Sequence, residues 1–422
     1  AQANHDVLLF QIGNDPLHLA SLETLKNPAR TTPAVVVLHD FSLHHLFAAA
    51  YIDRGRMRDY AQELERAHGA RGRALALRAL AGPPIPVWDL DPWSFPMSAG
   101  VIRDAAAVIV HSRLVRGAVL REVPSCHVTE IPHHVVVAPR TERRLAREKL
   151  RLPQDRPLAV SLGVVTPAKR IARVLEALAL IEPSLRPFFF VGGALASDDP
   201  LHAMIERFGL EADVSFGGYL SDADFWLAAS AGDFAVNLRH PTVGETSGAV
   251  CRLAGFGLPL LVSDVGWFRE LPDSFAAKIP VGSGEVERIA EELLRLSSDA
   301  PERSRRSSAA AEWGAERSPD RIARLYARVL NEVADGAAGP LGLSGVVAAQ
   351  LHALGIARGR TAAASRLPDA EVLSAVARAA SGILPVRPET AGTLAVRPET
   401  AGTLAVRPET AGILAVRPDT DR

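Results

Sequence analysis

From residue 158 onward the chain alternates short apolar runs with longer stretches of helical periodicity. Residues 158–163 (LAVSLG), 187–191 (PFFFV), 214–216, 234–238, 260–263 and 276–279 are compact apolar runs. Strands buried on both faces look like this. Between them, 170–181 carries Ile171, Val174, Leu175 and Leu178 at helical spacing, and 201–208, 222–231, 249–255 and 286–296 follow the same rule. Strands separated by helical patterns of about 10 residues predict βαβ units, hence a parallel sheet covered on both faces.

The first part of the chain is similar but shorter. Residues 7–11, 34–38 (AVVVL), 107–110 (AVIV) and 128–131 read as strands, 17–25 and 54–80 as helices, and 88–96 as a loop after Pro83, Pro84 and Pro86. A Rossmann half should open on a strand and a glycine-rich turn, and no segment here plays that part, so the opening reads as lacking its first elements. Helix 318–333 has Ser318 as N-cap and Pro319 at its first position. Beyond it, 346–380 is Ala-rich, and from 384 a ten-residue unit recurs (LAVRPETAGT). Each unit has a Pro and few large side chains, too little apolar surface to fold alone. The expected organisation is therefore α/β, with an incomplete Rossmann-like domain at 1–150, a second Rossmann-like domain at 151–335, a helical extension at 336–382 and a disordered repeat tail at 383–422.

Composition narrows the class. With 48% hydrophobic and 23% charged residues the chain is globular, and a formal charge of −1 over 422 residues gives no reason to expect nucleic-acid affinity. Two cysteines, Cys126 and Cys251, do not make a disulfide framework and favour a reducing compartment. No signal-peptide pattern opens the chain and no apolar run spans a bilayer, so a location in the cytoplasm or at the inner face of its membrane is expected. The arginines of 54–80 suit either a solvated surface helix or one resting on anionic lipid.

The candidate chemistry lies at strand carboxyl ends. Gly163, Lys169 and Arg170 follow the first strand of the second domain, where glycine admits a phosphate and the cations attract it. RHPTVGETSG (239–248) carries Glu245 into a helix start, and the amides of Ser247, Gly248 and Ala249 are offered to a diphosphate. The same residues also suit a plain helix cap beside a solvated glutamate. Tyr219 and Leu220 form a further loop at this edge, where backbone groups suit a nucleobase. In the first domain His39 and Asp40 end one strand, Asn14 follows another and His111 a third, so these are cleft-side candidates for acid–base or acceptor contacts. His133 and His134 follow Pro132, while His44 and His45 read as residues of a helix surface. No His pair has zinc-ligand spacing, so neither metal nor cofactor is expected.

These residues resemble the GT-B glycosyltransferases of family 4, over about 7–333. The resemblance is most specific at 163–170 and 239–271, where GETSGAVCRLAGFGLPLLVSDVGWFREL follows the family's donor-site pattern; VVVLHD and AVIVHSR match more loosely. It implies two Rossmann-like domains and retaining transfer of a sugar from a nucleotide diphosphate-sugar to a saccharide or lipid-linked acceptor, as in cell-surface polysaccharide or glycolipid synthesis. It also implies that Lys169 holds the diphosphate, Glu245 contacts the transferred sugar, His39 lies near the reacting centre and the Tyr219 loop contacts the nucleotide. Three departures stand against it. The family's second glutamate, roughly two helical turns past Glu245, is Leu253; the arginine after Gly163 is Val164; and the opening glycine-rich loop is missing. The alternative function is a non-catalytic sugar-nucleotide-binding or partner-binding protein derived from such an enzyme. A sugar-nucleotide epimerase is a third reading within the same fold.

Overall fold

The computed structural model describes residues 6–195 and 200–336, together with short strands at 394–395, 398–399, 403–404 and 413–416. The chain packs as two units. The first comprises the residues up to His134, Val243–Thr246 and the residues from Pro319 onward; the second comprises Val135–Thr242 and Ser247–Ser318. The expected boundary at 150 and 151 therefore differs in two places. Helix Arg143–Lys149 packs with the second unit, because Arg147 is buried there and donates to Asp233 at 2.7 Å. Helix Pro319–Ala334 packs with the first, where Ile322, Tyr326 and Leu330 cover Val7, Leu9, Val35 and Ile109.

In the first unit, strands β1 (Val7–Ile12), β2 (Ala34–Leu38), β3 (Ala107–Val110) and β4 (Val128–Glu130) run parallel in sequence order. Both faces are apolar, as the uninterrupted runs predicted: Phe10, Val36 and Val108 face one core and Leu9, Val35 and Ile109 the other. Residues 413–416 add antiparallel to β1, with Val7 opposite Val416 and Phe10 opposite Ile413. A repeat with too few large side chains for its own core thus contributes backbone pairing to an existing edge. The expected Ala-rich helices, and the rest of the repeat tail with its expected disorder, lie outside the described residues.

In the second unit six parallel strands are ordered β10-β9-β8-β5-β6-β7, where β5 is Leu158–Leu162, β6 Phe188–Gly192, β7 Val214–Gly218, β8 Phe234–Asn237, β9 Leu260–Ser263 and β10 Ala276–Ile279. The sheet grows outward from β5 on one side through β6 and β7. It then restarts at β8, on the other side of β5. That reversal leaves a crevice at the carboxyl ends of β5 and β8. Helices Ala99–Arg103, Arg113–Glu122 (capped by Ser112), Arg143–Lys149 and Ala300–Ala315 escaped the periodicity reading. The expected loop at 88–96 contains one helical turn, Val87–Leu90. Among the described residues no helix is long and apolar enough to cross a membrane.

His44 corrects its sequence reading. It is fully buried rather than on a helix surface. Its Nδ1–H donates to the Phe95 carbonyl at 2.7 Å and its Nε2 accepts from the Tyr60 hydroxyl at 2.6 Å, so both ring nitrogens are satisfied without charge. Burial pushes its pKa down from 6.5 to about 4. Below 6.5 the unfolded chain then binds a proton that the folded chain refuses. The group's stabilisation is therefore intact above 6.5 and is lost as pH falls toward about 4, by up to about 1.4 kcal/mol per pH unit. His44→Leu should cost about 1–3 kcal/mol at pH near 7.5, by orphaning its two partners. It should also flatten the acid slope; denaturant unfolding at several pH values reads both, and parallel slopes in variant and wild type would contradict the assignment.

Candidate functional site

The crevice beside β5 and β8 is built from three loops. Gly163 ends β5 at φ 101, and a Cβ there would meet Lys169 Nζ at 3.0 Å and Ala249 Cβ at 3.9 Å. The positive φ is what calls for glycine here. The same contacts show that Gly163, Lys169 and Ala249 converge. Lys169 closes the turn Pro167–Lys169, is 6% exposed and donates to the Leu162 carbonyl at 3.0 Å. Burial, and then the positive charge of Arg239, lower its pKa from 10.5 to about 7. Arg170 sits at φ 55 and makes a two-point ion pair with Glu285, which is 3% exposed. Any ligand contact by Arg170 would compete with that buried carboxylate.

The second loop leaves β8. Arg239 N–H donates to Ser263 Oγ at 2.9 Å and His240 N–H donates to the Ala168 carbonyl at 2.8 Å, which hangs this loop between those after β9 and β5. Arg239 and Asn237 were not singled out from the sequence. The signal was present: FAVNLR ends a buried strand on two polar residues, and Asn237 proves 1% exposed. The third element is helix Gly248–Gly255. Ser247 caps it by accepting from Val250 N–H at 3.3 Å, while Gly248 and Ala249 occupy the first turn, where the helix offers no carbonyl four residues back. The capping expectation and the amide expectation thus fall to different groups.

Glu245 belongs to the four residues that pack with the first unit. Ser42 N–H donates to the Val243 carbonyl at 2.8 Å, and a Cβ on Gly244, at φ 85, would strike Phe41 at 2.6 Å. Glu245 Oε2 accepts from Val243 N–H at 2.8 Å, so the carboxylate is held by its own turn. Leu253 is fully buried in the second unit's core. Arg252 beside it lies 3.9 Å from the Phe225 ring and 4.4 Å from Trp226, paired with Asp222. Tyr219, 83% exposed, and Leu220 line a cavity of about 380 Å³ with Phe188, Phe190 and Ser215.

The first unit's candidates gather at the carboxyl ends of its strands. His39 Nε2–H donates to Gln11 Oε1 at 2.6 Å, and its ring lies 6.0 Å from His18 and 5.4 Å from His111. His111 continues the row to His133 at 5.6 Å, and His133 stacks on His134 at 4.7 Å. Burial holds the pKa of His39 well below 6.5, with the neighbouring imidazoles adding to the effect, and burial takes His111 to about 4 and His134 to about 3. His111 Nδ1–H donates to the Ile131 carbonyl at 2.8 Å. The row is therefore uncharged at neutral pH, fit to hydrogen-bond a hydroxyl and unfit to neutralise a phosphate. Asp40 accepts from Asn14 N–H at 2.6 Å, and the Asn14 carboxamide oxygen accepts from His45 N–H at 2.9 Å, so both residues also fix the turn that leads into helix His44–Tyr51. Among the described residues no group of three His, Cys, Asp or Glu is arranged to hold a metal ion.

Residues 142–313 match the family model described as glycosyl transferases group 1. No curated protein matches the chain by sequence. Among solved structures, sucrose-phosphate synthase from Thermosynechococcus elongatus is 16% identical over 82% of this chain and 74% of its own, with a TM-score of 0.50. HepE of Anabaena, in complex with UDP-glucose, is 17% identical over 76% of this chain and 78% of its own, with a TM-score of 0.53. S. aureus TarM, as a G117R mutant in complex with Fondaparinux, alpha-GlcNAc-glycerol and UDP, is 14% identical, with a TM-score of 0.50 over 73% of this chain and 53% of its own. Residues 142–313 are thus a glycosyl transferases group 1 domain, and the chain is a glycosyltransferase built on two Rossmann-like parallel sheets of the GT-B kind.

Proposed function

We propose that the chain is a retaining, family 4 type enzyme that moves a sugar from a nucleoside diphosphate-sugar to a saccharide or lipid-linked acceptor, in cell-surface polysaccharide or glycolipid synthesis. The observation that carries this reading is the convergence of Gly163, Lys169 and Ala249 where β5 and β8 part. A buried ammonium and the open amides of Gly248 and Ala249 suit the charge that grows on a departing diphosphate. Glu245 would orient the transferred sugar and His39, uncharged, would hydrogen-bond a hydroxyl near the reacting centre. Tyr219 and Leu220 would meet the nucleotide, and Asn14, Asp40 and His111 the acceptor side. UDP-glucose bound by HepE makes a uridine donor the first to test.

Action at the inner face of the membrane is part of the proposal, because helix Met57–Ala81 exposes Leu77 and Leu80 beside Arg73 and Arg78. The burial of Leu253, where relatives carry a carboxylate, favours the second reading: a sugar-nucleotide-binding protein without catalysis.

Three outcomes separate these. In an acceptor screen with UDP-glucose, Lys169→Ala and Glu245→Gln should each lower turnover by about 10²-fold; binding of UDP without turnover in any acceptor mixture supports the non-catalytic reading. Because Lys169 titrates near 7, the free protein must take up a proton to bind a diphosphate at higher pH. The dissociation constant for UDP should therefore rise toward tenfold per pH unit above 7, and Lys169→Arg should flatten the profile, since arginine stays charged. A pH-independent wild-type affinity would remove Lys169 from the diphosphate. Finally, Leu77→Glu with Leu80→Glu should abolish sedimentation with phosphatidylglycerol vesicles if the helix rests on lipid; equal sedimentation by variant and wild type rejects that contact.

A further inference from the structure

Lys169 is close to neutrality in the crevice, and the positive charge of Arg239 acts on it there. We propose that Arg239, seconded by the carboxamide of Asn237, is a cationic clamp on the donor diphosphate, acting beside Lys169. The inference rests on the transfer reading and names a residue that reading did not require.

Three observations carry it. The backbone of this loop is tied on both sides, to Ser263 through Arg239 N–H and to Ala168 through His240 N–H, so Arg239 is fixed beside the Lys169 turn. Alternation then sets the direction of Asn237. Val236 and Leu238 belong to the core containing helix Ile171–Leu180, whereas Ala235 belongs to the core containing Val250 and Leu253 of helix Gly248–Gly255. Asn237, the last residue of that strand, continues the second set, on the side where that helix opens. Asn237 is 1% exposed, and neither its amide nitrogen nor its oxygen has a hydrogen-bond partner among the described residues. A buried carboxamide without partners is costly unless a ligand satisfies it. Its –NH₂ is a donor suited to a phosphoryl oxygen.

The charges of Arg239 and Lys169 repel, which contributes to the low proton affinity of the lysine. An anion between them relieves the repulsion, so binding and protonation of Lys169 are coupled through Arg239. Arg239→Gln should weaken UDP binding at pH 7.5 by tenfold or more and move the Lys169 midpoint upward in the free protein, read by NMR of its ¹³Cε. Arg239→Lys should restore most of the affinity. Asn237→Leu should lower UDP affinity while leaving the melting temperature unchanged or raised, the opposite of what loss of a purely structural amide would give. An Arg239→Gln protein that binds UDP within twofold of wild type, or whose Lys169 midpoint stays put, overturns the clamp and leaves the transfer reading standing. A wild type that binds none of UDP, GDP and ADP sinks both.

Discussion

Lys169 sits where two halves of a sheet turn away from each other. The strand order reverses between β5 and β8, and no crossover can fill the gap that this leaves at their carboxyl ends. An ammonium placed there is 6% exposed and donates to the Leu162 carbonyl, so it is poorly solvated and loses much of its charge. Burying a cation under such conditions disfavours folding around the charged form and favours any anion that restores it. The glycines around it follow from that crowding. A Cβ on Gly163 would press on Nζ at 3.0 Å, and a Cβ on Gly193 would fall 2.3 Å from the Gly163 carbonyl oxygen.

The two units handle polarity in different ways. The second concentrates full charges, several of them buried in pairs such as Arg147 with Asp233 and Arg170 with Glu285. The first gathers imidazoles that burial keeps neutral, each of several fixed in tautomer by a carbonyl: His18 by Gln11, His111 by Ile131, His133 by His134. A neutral imidazole with one nitrogen donating presents the other as an acceptor. Such groups discriminate by hydroxyl position rather than by charge, as suits a sugar, whereas paired cations discriminate by charge, as suits a diphosphate.

Much of this was legible from the pattern of apolar runs. Strands at 260–263 and 276–279 and the helix at 222–231 coincide with the observed elements, because buried parallel strands and amphipathic helices leave signals within a few residues of themselves. Gly163, Lys169 and Ala249 were legible for the same reason: each stands next to a strand end or a helix start. What escaped was non-local. His44 looks polar in a helix, and only Phe95 and Tyr60, distant in sequence, make its burial tolerable. Arg239 matters through Ala168 and Ser263, neither of which is near it in the chain. Helix Ala300–Ala315 is rich in Ala, Ser and Arg, so its buried stripe is thin and its periodicity weak.

The strands that flank the crevice are also those most firmly fixed at their opposite ends. Arg147, 2% exposed, donates to the carbonyls of Ala231, Pro153 and Arg156 as well as to Asp233. Asp233 in turn accepts from Leu158 N–H at 2.8 Å, so one buried ion pair joins the amino-terminal starts of β5 and β8. Removing either partner would leave the other charge buried and unpaired, which is why such a pair tolerates little variation. The carboxyl ends of the same two strands border the crevice. There Asn237 lacks hydrogen-bond partners and Lys169 is held near neutrality. A sheet clamped at one end can hold unsatisfied groups in place at the other without collapsing around them.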